Sequence, residues 1–259
     1  MASTLYAAII GVDGSGKSTC FRETLKSLAR THTVVGIGDN ILLGEKDTGI
    51  TEFNKVHLGR LKKALRNIVK TVRNPLLYKI TKLMELICRV NIQKDVFENY
   101  RPQVILGDGA PLINSIGWGI RYHPQFFEHD QCLKAIFYLS RKKKIPSSQT
   151  SFYLRNIPEI FLINRLRLAS FSVPDITFFL RVTPEVAIKR ITARGEELQV
   201  HETLSFLEKL QNSYSLICNI LDSDLGKEVN EISVDNLSIN EVVNIIVKRI
   251  KSCSRKNEP

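Results

Sequence analysis

The sequence predicts a three-layer α/β/α fold, with a central parallel sheet of five strands and a helical insertion, in a single domain spanning residues 1–259. Two observations carry this. Short apolar or β-branched runs of strand length recur five times, each separated from the next by stretches with helical spacing, and alternation of that kind implies a parallel sheet covered on both faces. The first strand also runs directly into a glycine-rich loop that opens a helix. That loop, Gly11-Val12-Asp13-Gly14-Ser15-Gly16-Lys17-Ser18-Thr19, fits G-x-x-x-x-G-K-[ST].

The first strand is Leu5-Tyr6-Ala7-Ala8-Ile9-Ile10, and Phe21, Leu25, Leu28 and Ala29 share one face of the helix that follows. Strand, loop and helix are the context a phosphate-binding P-loop requires. Its glycines let successive N–H groups point at one anion, and the helix start adds its positive dipole end. The phosphate-binding set is Gly11, Asp13, Gly14, Ser15, Gly16, Lys17, Ser18 and Thr19. Lys17 reaches the β/γ-phosphates of a nucleotide in this pattern, and the Ser18 hydroxyl ligates Mg²⁺.

A second strand is expected at Thr33-Val34-Val35-Gly36-Ile37. Residues 38–49 are turn-rich and receive no element. Asp39 stands just past the carboxyl end of the second strand, where open α/β sheets place ligand contacts, and is a candidate substrate residue. From 56 to 72, Leu58, Leu61, Leu65, Ile68 and Val72 recur at helical spacing with basic residues between them. A helix with one face on the core has this pattern, and that is our expectation. A helix lying on an anionic membrane has it too. Asn74-Pro75 interrupts the periodicity, and a further helix runs from about 76 to 99.

Val104-Ile105-Leu106-Gly107-Asp108 is the third strand. It delivers a carboxylate at its carboxyl end, the Walker-B type of placement, so Asp108 is a candidate Mg²⁺ ligand opposite Ser18. Residues 117–173 read as an insertion of helices and loops. Ile176 to Val182 is the fourth strand, followed by Thr183-Pro184, a threonine cap with proline at the first helical position. A helix near 202–221, a last strand at 229–234 and a capping box at Ser238-Ile239-Asn240-Glu241 complete the chain.

Composition narrows the function classes. The formal charge of +11 is concentrated at 57–73, 141–144 and 248–256. No RNP, zinc-finger or KH signature accompanies those runs, so nucleic acid is not an expected partner. No apolar run is long enough to span a bilayer. The start of the chain lacks a basic region and a signal-type apolar core, so a cytoplasmic location is expected. Cys20, Cys88, Cys132, Cys218 and Cys253 form no C-x-x-C pair and read as reduced thiols. The absence of an N-K-x-D tetrapeptide weighs against the switch GTPases.

With these motifs in view, the chain resembles the thymidylate kinase family of P-loop nucleoside monophosphate kinases. The P-loop carries the first match. The second is Pro174 to Glu196, which looks like the family's strand, its helix and the start of its LID, expected here at about 190–203. Leu86-Ile87-Cys88-Arg89 and residues 104–109 are weaker matches. The resemblance covers roughly 6–30, 83–108 and 174–250. It implies ATP as phosphate donor with Mg²⁺, a nucleoside monophosphate acceptor, dTMP above all, and an assembly that in this family is often a homodimer.

By the same resemblance Lys17 and Asp108 are catalytic, and Arg190 or Arg194 closes over the transferring phosphoryl group from the LID. An arginine arriving on closure neutralises charge and excludes water. Gly14 stands where some relatives carry a P-loop arginine, which points to the LID for that role. Two departures fall on the acceptor side. Asp108-Gly109 replaces the family's Asp-Arg, and the Arg-Glu-Pro-Gly motif after the second strand is absent. Arg89 and Arg121 are therefore candidate replacements for the missing acceptor-side cation. The alternatives are a kinase for another small acceptor, such as a nucleoside or sugar, and a non-catalytic ATP-binding regulatory protein.

Overall fold

The structure, a computed structural model, describes residues 4–46, 48–52, 58–71, 75–122, 124, 127–193 and 203–254, some of those in 59–82 and 118–122 by backbone alone. Its sheet has seven strands: β1 (Leu5–Ile10), β2 (Val34–Ile37), β3 (Ile41–Glu45), β4 (Gly49–Glu52), β5 (Val104–Asp108), β6 (Ile176–Arg181) and β7 (Glu228–Ser233). They lie in the order β4-β3-β2-β5-β1-β6-β7. The five expected strands are all parallel, in the order β2-β5-β1-β6-β7.

The extension by β3 and β4 corrects the sequence reading of 38–49. These residues form an antiparallel meander that adds two strands to the β2 edge. Two glycines make it feasible. Gly44 lies against Ala29 and Val34, where a Cβ would come within 2.8 Å of the Ala29 Cβ, and Gly49 turns the chain at a φ of +70°. The glycines that obscure a strand signal in the sequence are what let this edge pack.

Side-chain alternation along the strands assigns the two faces. Gly36 abuts Phe21 and Leu25 of α1 (Lys17–Ala29), so the side of β2 and β5 bearing Gly36 and its register partner Leu106 belongs to α1. α1 in turn packs on α10 (Ile239–Ser254). On the opposite face, Tyr6 makes an edge-to-face contact with Phe97, and Phe179 makes another with Tyr214 of α9 (Leu204–Ser223). Phe97 belongs to a π-helical turn, Val96–Tyr100, that ends α3 (Pro75–Asp95). The buried core runs through both layers: β1 is buried throughout, and β5 and β6 are buried up to their last residues.

The segment 117–173 contains the end of α4 (Pro111–Tyr122), then α5 (His129–Leu139), α6 (Thr150–Asn156) and α7 (Pro158–Leu166). α4 and α5 pack on α9. The Asn164 amide anchors the basic loop 141–144 by donating to the carbonyls of Tyr138 and Lys143.

Local signals fare differently. At α10 the expected capping box is complete: the Glu241 N–H donates to Ser238 Oγ at 3.3 Å, and the Ser238 N–H donates to Glu241 Oε2 at 2.8 Å. At α8 (Pro184–Thr192) proline takes the first turn, but the Thr183 side chain makes no capping bond. Its N–H instead donates to Asp235 Oδ1 at 2.9 Å, tying the loop to the end of β7. In α2 (Gly59–Thr71), Leu65 is buried, while Leu61 and Ile68, expected on the core face, are exposed. The helix touches the rest of the protein along a narrower stripe than its apolar period suggests. Val72, Arg194 and residues 195–202 of the expected LID lie outside the described residues.

Candidate active site

The P-loop joins β1 to α1 at the carboxyl edge of the parallel sheet. Gly16, at a φ of +84°, caps α1 with no side-chain hydrogen bond, and no acidic residue stands in the first turn. The first amides of the helix therefore face outward as donors for an anion. Ser18 and Thr19 are exposed there, as a phosphate- and metal-facing pair requires.

Gly14 is the tightest point of the loop. At a φ of +82°, a Cβ would stand 2.5 Å from the Ala187 carbonyl oxygen and 2.8 Å from its Cα. Helix α8 is thus pressed onto the loop from outside, and only glycine fits between them. Gly16 lies beneath Ile239 of α10. Lys17 Nζ donates to Asp13 Oδ1 at 2.9 Å, with side-chain exposures of 25% and 35%. A pair so wetted is worth about 0–1 kcal/mol, so a phosphate can exchange for Asp13 on the ammonium at little cost.

Arg190 sits one helical turn after Ala187, on the same side of α8. Its guanidinium donates to the carbonyls of Val234 at 2.8 Å, Asp235 at 3.4 Å and Gly14 at 3.5 Å. It therefore joins the P-loop to the end of β7. Arg194, its expected companion, lies outside the described residues.

The ends of β2 and β5 lie side by side, Ile37 opposite Gly107. Asp108 closes β5 next to Gly38, whose Cβ position would be 3.1 Å from the Asp108 Cβ. Its Oδ1 is buried and accepts no hydrogen bond from the protein. A buried acceptor without a donor costs about 1–3 kcal/mol. Its chemistry, a hard oxygen on the last residue of β5, beside the strand that leads into the P-loop, fits a Mg²⁺ ion or the water bound to one. Among the described residues no three His, Cys, Asp or Glu side chains cluster as a metal cage. Ser18 and Asp108 are the residues that fit such an ion.

Arg89 of α3 lies behind this edge. Its Nη2 donates to the carbonyls of Ile37 (3.0 Å), Asp108 and Gly109 (3.4 Å). The guanidinium clips the ends of β2 and β5 together. Asp39 is exposed at the start of the β2–β3 turn, where the Gly38 N–H donates to the Asn40 carbonyl. Arg121 lies in α4, and its side chain is outside what the structure describes.

Gly109 adopts a φ of +77°, and the Asn114 amide nitrogen lies 2.9 Å from where its Cβ would be. Asn114 Oδ1 accepts from the Tyr214 hydroxyl at 3.4 Å. Burial pushes the Tyr214 phenol well above its ordinary range, and the nearby Asp13 carboxylate adds to the shift, so Tyr214 remains a donor. Where the family motif would start an arginine, this chain has an amide and a phenol. The sequence reading missed Asn114 and Tyr214, whose positions differ by 100. It also missed Gln211, which holds the Val182 N–H at 3.2 Å, and Asp235. Of these, only Asp235, at the carboxyl end of a parallel strand, carried a positional signal.

The thiols take no part in this site. Burial raises Cys20 to about 11 and Cys132 and Cys218 to about 12, so they stay protonated and unreactive.

Comparison with known proteins shows what the chain is similar to. A thymidylate kinase family model matches residues 154–236. A curated thymidylate kinase from Leptospira interrogans serogroup Icterohaemorrhagiae serovar copenhageni is 24% identical over 253 residues, covering 96% of this chain and 97% of that protein. Among solved structures, thymidylate kinase from Candida albicans superposes with a TM-score of 0.55 at 16% identity, covering 99% of this chain and 94% of the other. Deoxyadenosine kinase from M. mycoides, with products dCMP and a flexible dCDP, gives 0.53 at 17% identity, covering 96% and 100%. These two share the fold.

Proposed function

The chain is a divergent thymidylate kinase-like protein with the fold of P-loop kinases, and from that premise we propose that it transfers the γ-phosphoryl group of ATP to a nucleoside monophosphate, dTMP first among them. The observation that carries the reading is the intact donor side: an uncapped helix start behind a loop that tolerates only glycine at its tightest point, with Lys17 inside it and Asp108 at the neighbouring strand end. In the proposed reaction the P-loop amides and Lys17 bind and orient the β- and γ-phosphates, and Lys17 neutralises charge as it shifts during transfer. Ser18 and Asp108 would hold a Mg²⁺ ion, which would supply charge neutralisation when bound. Gly11, Asp13, Ser15 and Thr19 shape the same cradle, and Arg194 is the arginine that closes over the phosphoryl group. In this reading the protein acts in the cytoplasm on a small nucleotide, and the family resemblance implies a homodimer.

Arg190 and Arg89 take positioning roles in this reading, because backbone carbonyls already occupy their guanidiniums. Arg190→Met is expected to lower stability by about 1–3 kcal/mol, as three carbonyls lose a charged donor, and to raise the KM for ATP. Arg190→Lys should recover part of both. Thermal melts run beside steady-state kinetics test this: a fall in kcat with unchanged melting would place Arg190 on the phosphoryl group instead.

A second reading is favoured by one observation. Gly109, Asn114 and Tyr214 offer neutral groups where the family motif has a cation, which suits an acceptor whose attacking group is a sugar hydroxyl. ADP release from ATP and Mg²⁺, measured across dTMP, other monophosphates and the parent nucleosides, separates the two. A preference of ten-fold or more in kcat/KM for a monophosphate over its nucleoside supports the first reading, and the reverse preference supports the second. ATP binding with no acceptor-dependent turnover would leave the regulatory alternative.

A further inference from the structure

We propose that Tyr6, Arg89 and Gln93 build a site for one internal water molecule behind the carboxyl ends of β2 and β5, and that Tyr6 and Gln93 act through this water to position the Arg89 guanidinium that holds Asp108. The observation is a cluster of orphaned polar atoms. The Tyr6 hydroxyl, Arg89 Nε and Gln93 Nε2 are all buried and find no hydrogen-bond partner among the described residues. Tyr6 is 2% exposed and Gln93 3%. Buried polar groups are nearly always paired, so three in one neighbourhood call for a shared partner.

The fold brings them to one place. Arg89 and Gln93 stand one turn apart in α3, on the same face of the helix. Tyr6 projects from β1 toward the layer that contains α3, where its ring meets Phe97 edge-on. On β5, Gly107 has no side chain to fill the space beside it. Its Cβ position lies 3.5 Å from Tyr6 Cε2, 3.6 Å from the Tyr6 hydroxyl and 2.6 Å from the Gly109 carbonyl oxygen. That carbonyl accepts from Arg89 Nη2 at 3.4 Å. Gly107 is thus bordered by the phenol and by a carbonyl that Arg89 holds. Burial pushes the Tyr6 phenol up to about 12, while the Arg89 guanidinium and the Gln93 amide beside it act in the opposite direction. The phenol stays neutral, and both neighbours are near enough to act on it.

The chemistry of the three atoms selects water. Arg89 Nε and Gln93 Nε2 only donate, whereas the Tyr6 hydroxyl donates or accepts. A water molecule accepts from both nitrogens and donates to the phenol oxygen, and about three partners is the usual number for an internal water. A halide ion would accept from the same donors but would bring a further charge into the interior. The three atoms are closed to solvent, so no substrate atom is their partner.

The consequence for the site rests on the kinase reading above. Arg89 Nη2 donates to the carbonyls of Ile37, Asp108 and Gly109. A water on Nε fixes the plane of the guanidinium and with it the direction of Nη2. Tyr6 and Gln93 are then positioning residues, which reach Asp108 only through Arg89.

The test is NMR of the full chain carrying isotopically labelled arginine. A cross-peak between the Arg89 Nε proton and a long-lived water, assigned by its absence in Arg89→Lys, is expected in the wild type. The double variant Tyr6→Phe, Gln93→Leu should lose it. In the same variant the Mg²⁺ concentration giving half-maximal rate should rise about ten-fold, with the melting curve close to that of the wild type, because the polar groups and their water leave together. An Arg89 Nε proton that exchanges rapidly with bulk solvent in the wild type overturns the water site, as does a water signal that survives in the double variant. A resonance that moves when chloride in the buffer is replaced by sulfate marks a halide and overturns it too. Should the double variant fail to fold, Tyr6→Phe alone decides: a shortened water residence supports the site and an unchanged one refutes it. Loss of the water with an unchanged Mg²⁺ dependence overturns the positioning role. The NMR signal needs no turnover, so a wild type that transfers phosphate to no acceptor refutes the kinase reading and the positioning role built on it, while the signal still decides the water site.

Discussion

Lys17→Ala is expected to lower acceptor-dependent turnover by about 10²–10³-fold while leaving stability within roughly 1 kcal/mol of the wild type. The two halves of this expectation have separate causes. In the folded protein the ammonium contacts Asp13 across a loop where both side chains are partly exposed, so its removal costs little folding energy. In the proposed transfer the same ammonium would face the β- and γ-phosphates, where a fixed charge shielded from water is worth several kcal/mol. Lys17→Arg should rescue poorly, because a planar guanidinium on a longer stem does not reproduce a compact point charge beside Gly14 and Gly16. Initial rates of ADP release, read beside thermal melts, check both halves. A variant that loses activity and stability together would show that Lys17 holds the loop rather than the phosphate.

Asp108→Asn is the second large effect, expected to reduce kcat by about 10²-fold or more with stability unchanged or raised by about 1–3 kcal/mol. The buried Oδ1 has no donor from the protein, so the native fold carries an unsatisfied acceptor that a magnesium or its bound water is suited to complete. An amide removes the carboxylate charge yet keeps the shape beside Gly38. The Asp108 backbone remains held by Arg89, so the ends of β2 and β5 stay together. Activity lost while stability is kept or gained is the signature of a group placed for chemistry. A destabilised Asp108→Asn protein would assign the carboxylate to the fold instead. The Mg²⁺ concentration giving half-maximal rate should rise in this variant, which separates a metal ligand from a residue that merely borders the site.

How far the sequence could be read depended on how local each signal was. The P-loop was legible because its specified residues lie in one stretch and strand and helix flank it in order. The capping box at Ser238 and Glu241 was legible for the same reason. The β3–β4 meander was not, since Gly44 and Gly49 serve packing and turning at an edge strand and carry no alternating pattern. Leu61 and Ile68 show the opposite failure. Their period is helical, but period says only that they share a face with Leu65, and tertiary packing covers Leu65 alone among the three.

Arg190 illustrates the limit most clearly. Chain position assigns it to the end of the helix that leads into the LID. In three dimensions α8 begins directly after β6 and lays Ala187 on Gly14, so the residue one turn later meets the P-loop carbonyl and the end of β7. The Asn114–Tyr214 pair depends on α4 packing against α9 and had no sequence signal at all.

The measurement that bears most directly on the central claim is phosphorus NMR of ATP, Mg²⁺ and dTMP with the wild-type protein. The account predicts the β-phosphorus of dTDP rising in step with ADP, and neither signal with Lys17→Ala. Inorganic phosphate accumulating at the same rate with or without dTMP, or an unchanged ATP spectrum in the presence of every monophosphate, would contradict it.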